Sequence, residues 1–305
     1  MGNTSWQSGY YVNSTETLRG LGSGFSTAFE TAGFVHTSDT GQADWDTITY
    51  PSGGYASWGQ FAYEMFRFDD SLQSTNPIFI KLSYSPSTLA GGGQSYTGLT
   101  ISIGSSTNGA GVLSGYGTPG ITVMNPGGTG LVYTYTNYAA GDGSGIALVT
   151  MLDAAQAAAT SVFAIDRFRD SLGNPSGDGV WLFGKSKANT TGANNFMVDT
   201  TSQYGKALDL GKGSAVFPIG VNASSTASIS GTTYFSPYKT MIPNGGGVYN
   251  QKMFLTYPSA DYGYNNNLSI THLGQARTYK TMGSYIGYMD VKAQAYMCAA
   301  MYWSD

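Results

Sequence analysis

Apolar residues recur along this chain with two different periods. Near the start, Leu18, Leu21, Phe25 and Phe29 are spaced by three, four and four residues, which sets them on one face of a helix. The pattern predicts a helix over 14–33. Ser14 suits its N-cap, Glu16 the positive end of its dipole, and Gly33 the position just past its last turn. Gly20, Gly22 and Gly24 lie inside it, and each costs up to about 1 kcal/mol against alanine. Such a helix needs a surface to pack on, and the expected role is to plug one face of a sheet.

From Phe34 onward the period falls to two, as in Phe79-Ile80-Lys81-Leu82-Ser83-Tyr84 and Leu131-Val132-Tyr133-Thr134-Tyr135-Thr136. Strands are predicted over 34–37, 45–50, 61–68, 78–84, 99–103, 121–124, 131–138, 146–152, 161–168, 180–183, 196–198, 215–219, 253–257, 268–272 and 291–303. The runs between them are turn material, such as Asn125-Pro126-Gly127-Gly128 and Pro243-Asn244-Gly245-Gly246. One further stretch, Ala154–Ala159, is suited to a short helical turn. The expected fold class is mainly β, with sandwich or barrel-like antiparallel sheets and one N-terminal amphipathic helix. The chain reads as one mainly-β unit over 1–305, with a sub-boundary near 126–130.

One internal echo is visible. Arg67-Phe68-Asp69-Asp70-Ser71-Leu72 and Arg167-Phe168-Arg169-Asp170-Ser171-Leu172 share R-F-x-D-S-L, and each runs into an Asn-Pro turn. The pattern predicts two similar hairpins whose Asp and Ser side chains bond turn backbone. A functional Arg–Asp pairing is the lesser alternative.

Composition narrows the function. Only 10% of the 305 residues are charged, against about 25% in an average soluble protein. The 14 basic residues are scattered and the net charge is −4, which disfavours nucleic acid as a partner. No apolar run is long enough to insert in a membrane, and the N-terminus does not read as a signal peptide. Cys298 is the single cysteine, so no intrachain disulfide forms.

Candidate chemistry is sparse. His36 and His272 are the two histidines, each expected as a satisfied polar group on a sheet. A Ser-His-Asp array meets only in space, but no G-x-S-x-G elbow is present. The carboxylate pairs Asp44/Asp46 and Asp69/Asp70 have the residue types of a glycosidase, yet turn chemistry is their expected role. Asp44 and Asp46 would lie on one side of a strand. No metal cluster, phosphate loop or dinucleotide fingerprint occurs, so no catalytic, cofactor-binding or metal residue is assigned. Tyr55, Trp58, Tyr262 and Tyr264, set among Gly, Ser and Asn, are the candidate interface or glycan contacts.

The run from Phe66 to Tyr84 resembles segments of tailed-bacteriophage virion structural proteins. So do the segments 101–111 and 163–171, and the opening Thr4-Ser5-Trp6-Gln7-Ser8-Gly9 followed by the helix. The resemblance implies a non-enzymatic subunit of the tail, baseplate, collar or capsid surface. Made in the host cytoplasm, it would reside in the virion and bind copies of itself and other virion proteins. It carries over no catalytic residue. Shaft repeats and heptads are absent, which favours a compact subunit over a long fibre. The alternative is a glycan- or host-receptor-binding module of the tail.

Overall fold

The computed structural model describes residues 2–9, 12, 14–50, 60–86, 97–116, 120–124, 134–152, 161–185, 206–209, 217–219, 236–242, 247–257, 264–282 and 298–305. One helix, α1 (Thr15–Thr31), follows strand β1 (Gly2–Gly9). The next strands are β2 (Val35–His36), β3 (Ala62–Arg67), β4 (Phe79–Pro86), β5 (Thr97–Gly104), β6 (Ser106–Thr107), β7 (Leu113–Ser114) and β8 (Gly120–Met124). After them come β9 (Thr134–Gly141), β10 (Gly145–Leu152), β11 (Ser161–Arg169), β12 (Pro175–Lys185), β13 (Lys206–Asp209) and β14 (Phe217–Ile219). The last are β15 (Ser236–Ile242), β16 (Gly247–Tyr257), β17 (Tyr264–His272), β18 (Gln275–Met282) and β19 (Cys298–Ser304). The protein is therefore mainly β, with antiparallel sheets and, among the described residues, one helix.

The helix ends follow from side-chain chemistry. Ser14 is extended, its hydroxyl accepts from Thr17 N at 3.2 Å, and Ser14 N donates back to Thr17 Oγ1 at 3.1 Å. That reciprocal box satisfies donors left open by the first turn. At the other end Gly33 takes φ +89°. Gly33 N then reaches Glu30 O at 2.9 Å and Phe34 N reaches Phe29 O at 3.0 Å. The Phe29 and Phe34 rings meet at 5.5 Å, the apolar contact that accompanies this kind of stop. The interior glycines have a packing reason. A Cβ on Gly22 would lie 2.3 Å from the Trp45 ring, and one on Gly24 would lie 2.3 Å from Trp6 Nε1. The helix gives up propensity so that two indoles can lie against it.

Twelve strands form one sheet along the path β1-β9-β10-β11-β16-β19-β18-β17, with β12 to β15 attached beside β11 and β16. A five-stranded sheet runs β2-β3-β4-β5-β8, and β6 pairs with β7. None of the described sheets closes into a barrel. Strands β9, β10 and β11 are buried on both faces. On one face Tyr135, Ala139, Ile146, Leu148, Phe163 and Ile165 share a core with α1 and the five-stranded sheet. On the other, Tyr138, Ala140, Ala147, Val149 and Ala164 pack against Met253, Tyr279, Met301 and Tyr302. The large sheet thus folds back on itself, and β19 lies over β9, with the Tyr138 and Trp303 rings 6.2 Å apart. Each fully buried Phe, such as Phe25, Phe66 and Phe163, contributes roughly 1.5–3 kcal/mol.

The segment 45–50, expected as a strand, forms a turn. Asp44 captures the chain there. Its carboxylate accepts from Asp46 N at 3.0 Å and Thr47 Oγ1 at 2.8 Å, and Ile48 N bonds Asp44 O at 2.8 Å. Strands β1 and β18 carry no legible alternation. In β1 the sole large apolar residue is Trp6, and the buried positions of β18 include Arg277 and Lys280. The expected segments 154–159 and 196–198 and the sub-boundary near 126–130 lie outside the described residues.

Candidate functional site

The fold-back of the large sheet creates a weak corner. Strand β11 joins β16 through a single residue pair, Arg169 opposite Asn250. A cluster of six charged side chains surrounds this corner. Asp166 of β11 accepts from Lys252 N of β16 at 2.5 Å, a link that stands in for missing ladder bonds. Arg169 grips Asp166 through Nε at 3.1 Å and Nη2 at 2.9 Å, and Nη2 also meets Ser144 Oγ at 2.7 Å. Lys252 Nζ lies 2.8 Å from Asp142 and 3.2 Å from the Asp305 carboxylate, and 4.0 Å from the centroid of the Tyr302 ring. Arg277 Nε closes the chain on Asp305 at 3.0 Å. The residue after β9, two internal strands, β18 and the residue after β19 are tied together.

Three carboxylates face three cations here, so the cluster is neutral as a whole. Asp142, Asp166, Arg169, Lys252 and Arg277 are buried, and only Asp305 is substantially exposed. Burial opposes ionisation of Asp142, but Arg169 and Lys252 beside it outweigh that and hold its pKa down to about 2. Burial likewise opposes ionisation of Asp305, yet Lys252 brings it below the usual range. Asp166 is so deeply buried that desolvation pushes it up even beside Arg169. Burial also raises the Tyr279 and Tyr302 hydroxyls, so both stay protonated. The Tyr279 hydroxyl donates to Lys252 O at 2.9 Å. Every charged member is bonded to another, which suits a clamp rather than a group poised to react.

A second ionic link joins the two echoed hexapeptides. Arg167 is fully buried and binds Asp70 through Nε and, at 3.1 Å, through Nη2. Its guanidinium also stacks 5.1 Å from the centroid of the Phe68 ring. The echo does form two hairpins, β3–β4 and β11–β12. In both, the Asp bonds turn backbone. Asp70 Oδ1 accepts from Leu72 N at 3.0 Å, and Asp170 Oδ1 accepts from Leu172 N at 2.9 Å. The Arg residues differ, because Arg67 is half-exposed and faces Asp69 at 3.6 Å.

Ser26, His36 and Glu64 come together between α1 and the five-stranded sheet. Ser26 Oγ lies 3.1 Å from His36 Nε2, and Glu64 Oε1 lies 3.7 Å from the same nitrogen. A nucleophile relay needs the acid on one ring nitrogen and the hydroxyl on the other. Here both converge on Nε2, with Glu30 also 3.4 Å away. Burial pushes the Glu64 carboxyl up, and the Tyr84 hydroxyl donates to it at 2.8 Å. His272 bonds Gln251 O at 3.0 Å through Nε2. Both histidines are satisfied in the way expected.

Of the candidate contact residues, Tyr55, Trp58 and Tyr262 lie outside the described residues. Tyr264 begins β17, opposite Met282. Asp44 and Asp46 sit on a turn, with Asp44 used as its cap, and Asp69 and Asp70 are used by the two arginines. Among the described residues, no group of three or more His, Cys, Asp or Glu converges to hold a metal. None of the described helices is long and apolar enough to cross a membrane. The chain matches no protein-family model, no curated protein and no solved structure.

Proposed function

We propose that this chain is a non-enzymatic structural component of a phage particle, assembling through subunit interfaces with copies of itself and with other virion proteins. The buried ion cluster carries the reading. A chain with few charges places three cations and two carboxylates inside, with the half-exposed Asp305 closing the cluster at its rim, where they brace the corner of a folded sheet. Only 10% of the chain's residues are charged, and protein surface that a neighbour covers is poor in charge. The internal clamps, Arg167–Asp70 and Asp142–Lys252–Asp305, hold sheets and hairpins in fixed relation, as a load-sharing subunit requires. The Ser26–His36–Glu64 arrangement lacks the geometry of a relay, which favours structure over catalysis.

The test is compositional. Purified particles, analysed by quantitative mass spectrometry, contain this chain in a fixed multiple copy number, and the isolated protein has a native mass above that of one chain. A strictly monomeric protein absent from purified particles overturns the proposal. The glycan-binding alternative rests on Tyr55, Trp58 and Tyr262, which lie outside the described residues, and on Tyr264 at the start of β17.

A further inference from the structure

A sheet edge offers a row of unpaired backbone donors and acceptors, and proteins blunt such edges unless they use them. Among the described residues most edges are blunted. Strand β2 has two residues. Strand β13 has four residues and β14 has three. The edge strand β8 shifts register against β5 between Leu99 and Thr100, and β17 shifts against β18 between Tyr264 and Asn267. Such bulges twist an edge away from a flat partner.

Strand β1 carries none of these devices. It runs eight residues, Gly-Asn-Thr-Ser-Trp-Gln-Ser-Gly, with no charge and no proline. It pairs with β9 without a break from Gly2 opposite Gly141 to Gly9 opposite Thr134. No described strand pairs with its other side. The strand is also held firmly. Trp6 packs edge-on to Phe25 at 5.4 Å, and Asn137 Nδ2 donates to Ser8 Oγ at 2.8 Å.

We infer that β1 is a self-association edge, pairing antiparallel with β1 of a second copy about a two-fold axis at Ser5. This rests on the subunit reading above and names one of its interfaces. The register follows from the side chains. Asn3, Ser5 and Gln7 are the exposed positions, with Thr4 and Trp6 on the half-buried side. An axis at Ser5 sets Asn3 opposite Gln7 of the second copy, Ser5 opposite Ser5, and Thr4 opposite Trp6. Amide meets amide and hydroxyl meets hydroxyl. Asn3 Nδ2 already donates to Trp303 O at 3.0 Å, so its Oδ1 is the acceptor for the facing Gln7 amide. Two charged strands of one kind would repel across such an axis; this one has no charge to repel. The pairing makes one continuous sheet across two copies, an isologous contact.

The experiment uses the full chain with Cys298→Ala, so that an introduced thiol is the only one. Ser5→Cys in that background forms a disulfide-linked dimer on mild oxidation, while Asn267→Cys on the bulged β17 edge does not. Ser5→Lys weakens association by about tenfold or more in native mass spectrometry, because like charges then face each other. Circular dichroism of Ser5→Lys matching the parent shows that the loss is not unfolding. A dimer that persists in Ser5→Lys, or a Ser5→Cys chain that does not link, overturns the inference. A chain present in particles but unlinked at Ser5 refutes this edge alone. A linked chain absent from particles refutes the subunit reading alone.

Discussion

Replacing Asp142 with Asn removes one charge from the corner clamp while keeping the side chain's shape and the acceptor for Ser144. The magnitude follows from the position of the carboxyl. Its pKa is held down from the ordinary 3.8 to about 2 by Arg169 and Lys252, against burial. At about 1.4 kcal/mol per pKa unit, the charged form gains about 2 kcal/mol in the folded state. The sign follows from linkage. With the folded pKa below the unfolded one, the unfolded chain binds more protons between about 2 and 3.8, so the stabilisation is complete above that window. It is lost as pH falls through it. Asp142→Asn is therefore less stable than the parent by about 2–3 kcal/mol at neutral pH, including the poorer pairing left to Lys252. Urea unfolding, followed by tryptophan fluorescence at a series of pH values, measures the gap. It stays constant at neutral pH and closes as the pH approaches 2. A gap that is absent at neutral pH, or that does not shrink in acid, refutes the clamp.

Three further outcomes are expected. Asp70→Asn leaves the fully buried Arg167 without its counter-charge and costs about 3 kcal/mol or more, whereas adding Arg167→Met recovers part of that loss in a urea double-mutant cycle. Glu64→Gln stabilises the protein at neutral pH. Burial raises the Glu64 pKa above 4.5, so the parent loses stability as pH rises past that value and the variant does not; equal pH profiles by thermal melting would refute this. Gly20→Ala, where an added Cβ meets nothing within 4 Å, raises stability by up to about 1 kcal/mol, while Gly24→Ala, 2.3 Å from Trp6 Nε1, lowers it by about 1–3 kcal/mol; denaturation midpoints decide both.

The helix was legible because both of its ends and its apolar face are local features. Ser14, Gly33 and the Leu18–Phe29 spacing each act within a few residues of themselves. Strands with apolar cores, such as β4, β5 and β10, were legible for the same reason. Strand β18 was not, because its buried positions include Arg277, Lys280 and Thr281, and polar residues at inward positions erase the alternation. Strand β1 was not, because an uncharged polar edge reads like a loop. Residues 45–50 misled because Trp45, Thr47, Ile48, Thr49 and Tyr50 are residue types that favour strands, while Asp44 acts on the backbone through its side chain. The corner cluster draws its members from positions 142, 166, 169, 252, 277 and 305, so no window of sequence contains it. One signal was present. Asp166, Arg167 and Arg169 interrupt an otherwise apolar strand in a chain with few charges, and a charge on a doubly buried strand must find a partner. The echoed hexapeptides showed two hairpins but not that Arg167 of the second would bind Asp70 of the first.

Quantitative mass spectrometry of purified particles tests the structural role most directly. This chain is expected at a fixed multiple copy number that survives high-salt washing, as for subunits joined by uncharged surfaces. Its absence, or a trace amount that washing removes, overturns the subunit role.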